Sequence, residues 1–209
     1  MVFCVSIEGY FDSNCFFWLD PKTGHGCIID PGAQAQDLLS IIRRNEWTIE
    51  KILLTHGHID HIGAVNELRE ALQIPVMAYK TADTFLKDPE MNLSAPYGPA
   101  YTVHDVCYLE DGDEIRLEAD PDFRLKVIYV PGHTIDSVIY YDAKSHQAFV
   151  GDTIYKGSPG DYDYPGGDYK MLLQSIRETV LKLPGDTVLY TGHSDPTTVA
   201  AERSLYLQA

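Results

Sequence analysis

Thr55-His56-Gly57-His58-Ile59-Asp60-His61 follows directly on the apolar run Lys51-Ile52-Leu53-Leu54. Three imidazoles and one carboxylate fall within the six residues from His56 to His61. A hydrophobic core has no use for that composition. Neutral imidazole and carboxylate are the donors that zinc and iron take up. The preceding run reads as a strand, and a strand end projects such residues into a cleft.

The same grammar recurs along the chain. Leu125-Lys126-Val127-Ile128-Tyr129-Val130 leads through Pro131-Gly132 to His133. Gln147-Ala148-Phe149-Val150 leads through Gly151 to Asp152, and Thr187-Val188-Leu189-Tyr190 leads through Thr191-Gly192 to His193. Each run is rich in β-branched or aromatic residues and has the length of a buried strand. A glycine before the ligand lets the backbone turn sharply and approach closely. Four strand ends can therefore deliver seven ligands: His56, His58, Asp60, His61, His133, Asp152 and His193. His25, His104 and His146 have no such setting and read as surface or loop residues.

The chain has 209 residues and a net charge of -15. Its length fits one domain, residues 1–209, with a sizeable core. The acidity argues against a nucleic-acid partner, which needs a basic face, and against an anionic membrane surface. Two divalent ions would carry four charges, of which Asp60, Asp152 and a hydroxide cancel three. The site would stay locally positive and open to a small-molecule substrate, an anionic one included. Cys4, Cys15, Cys27 and Cys107 are scattered through apolar runs without a CxxC pair, and read as small buried hydrophobes. MVFCVSIEGYFDSN has no basic leader pattern, and no segment has the length of a membrane span, so a cytoplasmic protein is expected.

Val2–Ile7 and Cys15–Leu19 read as a hairpin, and Gly26–Ile29 as a third strand before the turn Asp30-Pro31-Gly32. Ala35–Trp47 reads as an amphipathic helix, Lys51–Leu54 as a strand, His61 or Ile62 to Leu72 as a second helix, and Pro75–Ala78 as a short strand. Residues 80–105 lack periodicity and are expected to form an active-site wall. A second β-rich half is expected from Val106, with strands at Ile115–Leu117, Arg124–Val130 and Val138–Tyr141. Residues 157–168 are rich in turn formers. Helices are expected at Tyr169–Leu183 and Pro196–Leu205, the latter with Asp195 as cap and Pro196 in its first turn. Two mixed halves predict an α+β fold with two sheets face to face and helices outside, a four-layer αββα sandwich.

With THGHIDH at 55–61, PGHT at 131–134, GDT at 151–153 and GH at 192–193, the chain resembles the metallo-β-lactamase superfamily, in its glyoxalase II-like branch of small single-domain hydrolases. The turn at Asp30-Pro31-Gly32 and the segment GSPGDYDYPGGD also fit that branch. The resemblance implies one metal on His56, His58 and His133, a second on Asp60, His61 and His193, and Asp152 bridging them. It implies two divalent ions, zinc first, with iron or manganese as alternatives. Two metals sharing one water lower its pKa and hold it as hydroxide, and Asp60 can orient it as general base. A hydrolase acting on a small thioester, similar to hydroxyacylglutathione hydrolases, is the leading expectation. A thiolate leaves with little protonation because a thiol pKa is about 8.5.

Three departures from that pattern stand out. Many relatives carry Arg where Asp161 stands, and an aspartate would repel a substrate carboxylate that an arginine would hold. Related small hydrolases also often carry Gly where Asp136 stands. Only sixteen residues follow His193, so the helical region with which glyoxalase II binds glutathione is not expected. Lactones and other esters are alternatives. A different class of reaction is a mononuclear iron persulfide dioxygenase, similar to others of the superfamily, using His56, His133 and Asp152 as a two-His, one-carboxylate triad.

Overall fold

The alternation of buried side chains along the strands builds the molecule. In this computed structural model, which describes residues 1–206, β1 (Val2–Ile7), β2 (Ser13–Leu19), β3 (His25–Ile29), β4 (Thr48–Leu53), β5 (Val76–Tyr79) and β6 (Val106–Leu109) lie side by side in one sheet. The β1–β2 and β2–β3 pairs are antiparallel, and the pairs from β3 to β6 are parallel. The second sheet takes β7 (Glu114–Arg116), β8 (Arg124–Tyr129), β9 (Val138–Asp142), β10 (Gln147–Gly151), β13 (Val188–Thr191) and β14 (Thr197–Thr198), in the order β14-β13-β10-β9-β8-β7. Here only β10 and β13 are parallel. A small hairpin of β11 (Ile154–Tyr155) and β12 (Ser158–Pro159) follows β10.

Successive residues of a strand point to opposite faces. On β2, Phe16 and Trp18 join Cys27, Ile29, Val127, Tyr140 and Phe149 in a core between the two sheets. Phe17 and Leu19 turn the other way, onto Leu38, Leu39 and Ile42 of α1 (Ala35–Arg44) and onto Ile62, Val65 and Leu68 of α2 (Ile59–Ile62) and α3 (Val65–Leu72). Ile139, Ala148 and Leu189 of the second sheet pack outward on α6 (Tyr169–Glu178) and α7 (Val199–Tyr206). The result is the expected αββα sandwich. Burying one such Phe or Leu is worth about 1.5–3 kcal/mol. Across the central layer Trp18 Nε1 donates to Asp142 Oδ2 at 3.3 Å, so the indole is not left unpaired in the core.

Several boundaries differ from the sequence reading. The Val106 strand belongs to the first sheet, parallel to β5, so the halves divide between β6 and β7. A parallel neighbour needs a long crossover. Residues 80–105 supply it, with two one-turn helices, α4 (Asp83–Leu86) and α5 (Ser94–Tyr97). The helix expected to Trp47 stops at Arg44, and the strand expected from Lys51 begins at Thr48. The second helix breaks at Gly63-Ala64, where Ala64 N donates to Pro31 O at 2.9 Å. The helix begun at Tyr169, capped by Asp168 onto Met171 N, ends at Glu178 and gives way to a tighter turn over Val180–Lys182. Pro196 does not start a helix: Thr197 and Thr198 pair with Leu189 and Val188 at the sheet edge, where a preceding proline costs no ladder bond. The helix starts at Val199, and Thr198 Oγ1 accepts from Ala201 N at 3.2 Å. Cys15 and Cys27 are buried as expected, but Cys4 and Cys107 are exposed because β1 and β6 are the outer strands of their sheet.

Candidate metal centre

β4, β8, β10 and β13 all end at one rim of the sandwich. Beyond β4, Thr55 O accepts from Val138 N at 2.9 Å and Leu54 O accepts from Tyr140 Oη at 2.6 Å, which fixes the THGHIDH loop to the second sheet. Beyond β13, Gly192 O accepts from Asn14 N at 2.7 Å, tying the His193 loop to the first sheet. Gly192 must be glycine for a local reason. A Cβ there would lie 2.0 Å from Asp152 Oδ1 and 2.8 Å from His61 Cε1.

All seven side chains meet. His133 Nε2 is 3.2 Å from His56 Nε2 and 3.0 Å from His58 Nδ1. His61 Nε2 is 3.4 Å from His193 Nε2 and 3.5 Å from Asp60 Oδ2, and His193 Nε2 is 3.1 Å from Asp60 Oδ2. Asp152 lies between these triads. Its Oδ2 is 3.1 Å from His193 Nε2 and 3.7 Å from His133 Nε2, and its Oδ1 is 3.4 Å from His61 Nε2. Donors held about 2.05 Å from a tetrahedral ion stand about 3.3 Å apart. The observed separations match that edge, so the residues fit divalent metal ions. The groups that could hold an ion are His56–His58–His133, His56–His61–Asp152 and Asp60–His61–His193.

The outward ring nitrogens set the tautomers. His133 Nδ1 donates to Asp161 O at 2.6 Å and His193 Nδ1 donates to Asp12 O at 2.6 Å. His61 Nδ1 donates to Asp30 Oδ2 at 3.0 Å. Thr55 Oγ1 donates to the same Asp30 oxygen at 2.6 Å, leaving its lone pair for His56 Nδ1 at 3.2 Å. Four imidazoles thus turn Nε2 inward, the arrangement of metal ligands whose other nitrogen is hydrogen-bonded. Asp30 itself is buried and has φ of 52°. Asp tolerates that left-handed backbone better than most residues.

Charge divides the centre in two. Burial, with the neighbouring imidazoles, pushes His56 well below the usual range and His58 down to about 3. Burial also lowers His133. These three present neutral nitrogen. Around the other triad burial is outweighed. It opposes charge on His61 and His193, but Asp152 and Asp60 raise His61 well above 6.5 and His193 to about 10. Burial opposes charge on the carboxylates too, yet His61 and His193 hold Asp152 well below its usual value and Asp60 lowered.

A cavity of about 150 Å³ opens onto this cluster, walled by Phe11, Leu93, Tyr155, Asp161 and Tyr164. Two tyrosines, Tyr155 and Tyr164, are among these wall residues. Tyr97 packs edge-on against Phe11 at 4.9 Å, Tyr101 accepts from Asn66 N at 3.0 Å, and Tyr162 packs on Tyr169. His25 and His146 pair with Glu50 and Asp186, His104 is exposed, and none of the three reaches the site. Sequence reading passed over Asp30, Thr55 and Asp12 as supports. The only signal for Asp30 was its turn.

The family model of the metallo-beta-lactamase superfamily matches residues 9–193. The chain belongs to that superfamily. It is 32% identical over 198 residues to the hydroxyacylglutathione hydrolase GloC of Haemophilus influenzae, covering 92% of this chain and 91% of that one. The crystal structure of the BLEG-1 B3 metallo-beta-lactamase superposes with a TM-score of 0.90 at 32% identity, covering 98% of this chain and 97% of the other. That of TTHA1623 in a di-iron-bound form superposes at 0.83 and 32% identity, covering 97% and 98%. Superfamily membership, hydrolase-named relatives and the His/Asp cluster together support a metal-dependent hydrolase acting on a small molecule. No helix among the described residues is long and apolar enough to cross a membrane.

Proposed function

We propose that the protein is a two-metal hydrolase of small thioesters. His56, His58 and His133 would hold one ion and Asp60, His61 and His193 the other, with Asp152 shared. The observation that carries this is the convergence of seven donors at tetrahedral-edge distances, with the outer nitrogens of His56, His61, His133 and His193 already hydrogen-bonded. Divalent ions bound there would polarise a carbonyl and bring the pKa of a shared water toward neutrality.

The chain's own residues do the rest. Asp60, ionised because His61 and His193 flank it, orients the attacking water and accepts its proton. Asp30, Asp12 and the Asp161 carbonyl hold three imidazoles in position. Phe11, Leu93 and Tyr164 narrow the cavity and exclude bulk water from one side. Tyr155 keeps its proton, because burial and then Asp152 push its phenol far up. Asp60 and Asp152 in the pocket lining are held ionised and cannot protonate a poor leaving group, and a thiolate needs no such acid. Similarity to a hydroxyacylglutathione hydrolase supports the thioester. Zinc is the expected metal, and the di-iron form of a neighbour keeps iron in view.

The test is a hydrolysis screen over thioesters, lactones and β-lactams with metal content measured on the same preparation. Thioester turnover with two ions per chain is expected. A β-lactam turned over faster than any thioester would replace this reading, as the likeness to BLEG-1 invites. One iron per chain with oxygen consumed on adding a persulfide would establish the dioxygenase. Four donors beyond its triad, His58, Asp60, His61 and His193, argue against that outcome.

A further inference from the structure

The wall of the cavity has a chemistry that hydrolysis itself does not require. Its aromatic members are Phe11, Tyr155 and Tyr164, and its one charged member outside the metal cluster is Asp161. Among the described residues no lysine or arginine lines it. Lys156 Nζ, on the same stretch of chain, pairs with Asp195 at 3.2 Å instead.

Asp161 is well placed and well held. Its carbonyl accepts from His133 Nδ1 at 2.6 Å. The preceding Gly160 lies so close to Asp152 that a Cβ there would sit 1.7 Å from the Asp152 carbonyl. The backbone of Asp161 is therefore fixed by two of the cluster's own residues, while the residue remains exposed to an incoming molecule. The carboxylate also acts on the rings beside it. Burial and then Tyr97 and Asp161 raise the Tyr164 phenol, and Asp161 is among the acids that raise Tyr155 behind burial and Asp152. A carboxylate and aromatic rings lining one cavity, with no lysine or arginine among the described lining residues, can receive an ammonium group.

Resting on the hydrolase reading above, we propose that the mouth of the pocket is a cation subsite, in which Asp161 and the rings of Tyr164, Tyr155 and Phe11 select substrates carrying an ammonium group. A carboxylate-bearing tail meets Asp161 as a like charge, and a neutral tail gains only the apolar contact.

The experiment uses thioesters of one acyl group and three tails. Acetylthiocholine carries a quaternary ammonium, S-(3,3-dimethylbutyl) thioacetate is its neutral isostere, and S-acetyl-3-mercaptopropionate is anionic. An exposed ion pair with a cation–π contact gives a preference of roughly tenfold in kcat/KM for the cation over the isostere. Asp161→Asn should bring the cation and isostere to within about twofold, since the charge leaves and the shape stays. Asp161→Arg should prefer the anionic tail. Turnover of the neutral isostere reports the thioester reading alone. A second readout needs no turnover: tetramethylammonium titrated into the metal-loaded protein, followed by NMR shifts, should bind the wild type roughly fivefold more tightly than Asp161→Asn, since the rings stay and the charge leaves. If no thioester is cleaved, the thioester reading falls and this titration decides the subsite. Wild-type binding of tetramethylammonium that Asp161→Asn leaves unchanged, or a wild-type preference for the anionic tail, overturns the proposal.

Discussion

Asp30→Asn tests what the support of two imidazoles, His61 directly and His56 through Thr55, contributes to the candidate metal centre. Asp30 Oδ2 accepts from His61 Nδ1 at 3.0 Å and from Thr55 Oγ1 at 2.6 Å, and Oδ1 accepts from Thr55 N at 2.8 Å. Asparagine keeps the shape and accepts the left-handed backbone at φ 52°, so the fold should survive. Its amide offers one acceptor oxygen where the carboxylate offers two. If the oxygen faces Thr55 N, the NH₂ meets the His61 N–H and the Thr55 hydroxyl. His61 must then flip its tautomer or tilt, and its Nε2 lone pair leaves the cluster. Loss of such an outer partner weakens metal binding by about 10- to 100-fold, or roughly 1.4–2.7 kcal/mol.

The assay is metal stoichiometry by mass spectrometry after equilibration with graded chelator. The expected result is that the ion at Asp60, His61 and His193 is released first, at roughly ten- to a hundredfold weaker chelation, while the ion at His56, His58 and His133 is affected less, because His56 loses its support only through Thr55. Asp30→Ala serves as the harsher comparison. It strains the backbone and strands three buried donors at about 1–3 kcal/mol each, so a lowered melting temperature is expected there. If Asp30→Asn binds two ions within about twofold of wild-type affinity, a change of only some 0.4 kcal/mol, the support argument is wrong.

Further outcomes follow from other contacts. Asp152→Ala should reduce turnover by more than about 100-fold, beyond the effect of outer partners; full metal content with near wild-type rates would refute the shared-carboxylate role. Gly192→Ala drives a methyl into Asp152 Oδ1 and His61, and should lower kcat by roughly 100-fold, the effect of a misplacement near 1 Å; unchanged kcat would show that the two residues can yield. Metal uptake should depend on pH at one triad only. Protons on His61 and on His193, whose pKa is about 10, must leave before their lone pairs bind, so affinity at Asp60–His61–His193 should rise with pH toward 10, while His56–His58–His133, already neutral below 6.5, should respond little. Titration with the metal at several pH values checks this, and equal slopes would contradict it. S-lactoylglutathione and a thioester of a small neutral thiol with the same acyl group should differ in kcat/KM by only a few-fold; a fall of roughly ten- to a hundredfold for the small thiol would show that the glutathione carboxylates are read.

The sandwich and the convergence of the seven side chains were legible because both rest on local patterns. Strand alternation declares two faces, and strand–glycine–ligand repeats declare where strands end. What was not legible depends on partners distant in sequence. Nothing near Val106 says that it pairs with Val76 and not with the strands after it. Pro196 carries a good helix-start signal, yet two residues of edge pairing with β13 outweigh it. Cys4 and Cys107 sit in apolar runs, and only the strand order makes those runs outer strands.

The supports of the centre divide along the same line. Thr55 neighbours His56, so its contact is local in sequence, but it matters only because Asp30, twenty-five residues earlier, accepts its proton. Asp12 reaches His193 across 181 positions, and does so with a backbone carbonyl that any residue would supply. Asp161 supports His133 through its carbonyl as well, which leaves its side chain unconstrained by that duty. The position can therefore change charge without disturbing the imidazole it holds. In the proposed subsite a backbone contact fixes His133 while the side chain meets the substrate, so imidazole geometry and substrate preference are separable at a single residue. Asp161→Arg should accordingly alter which tail is preferred and leave metal content unchanged.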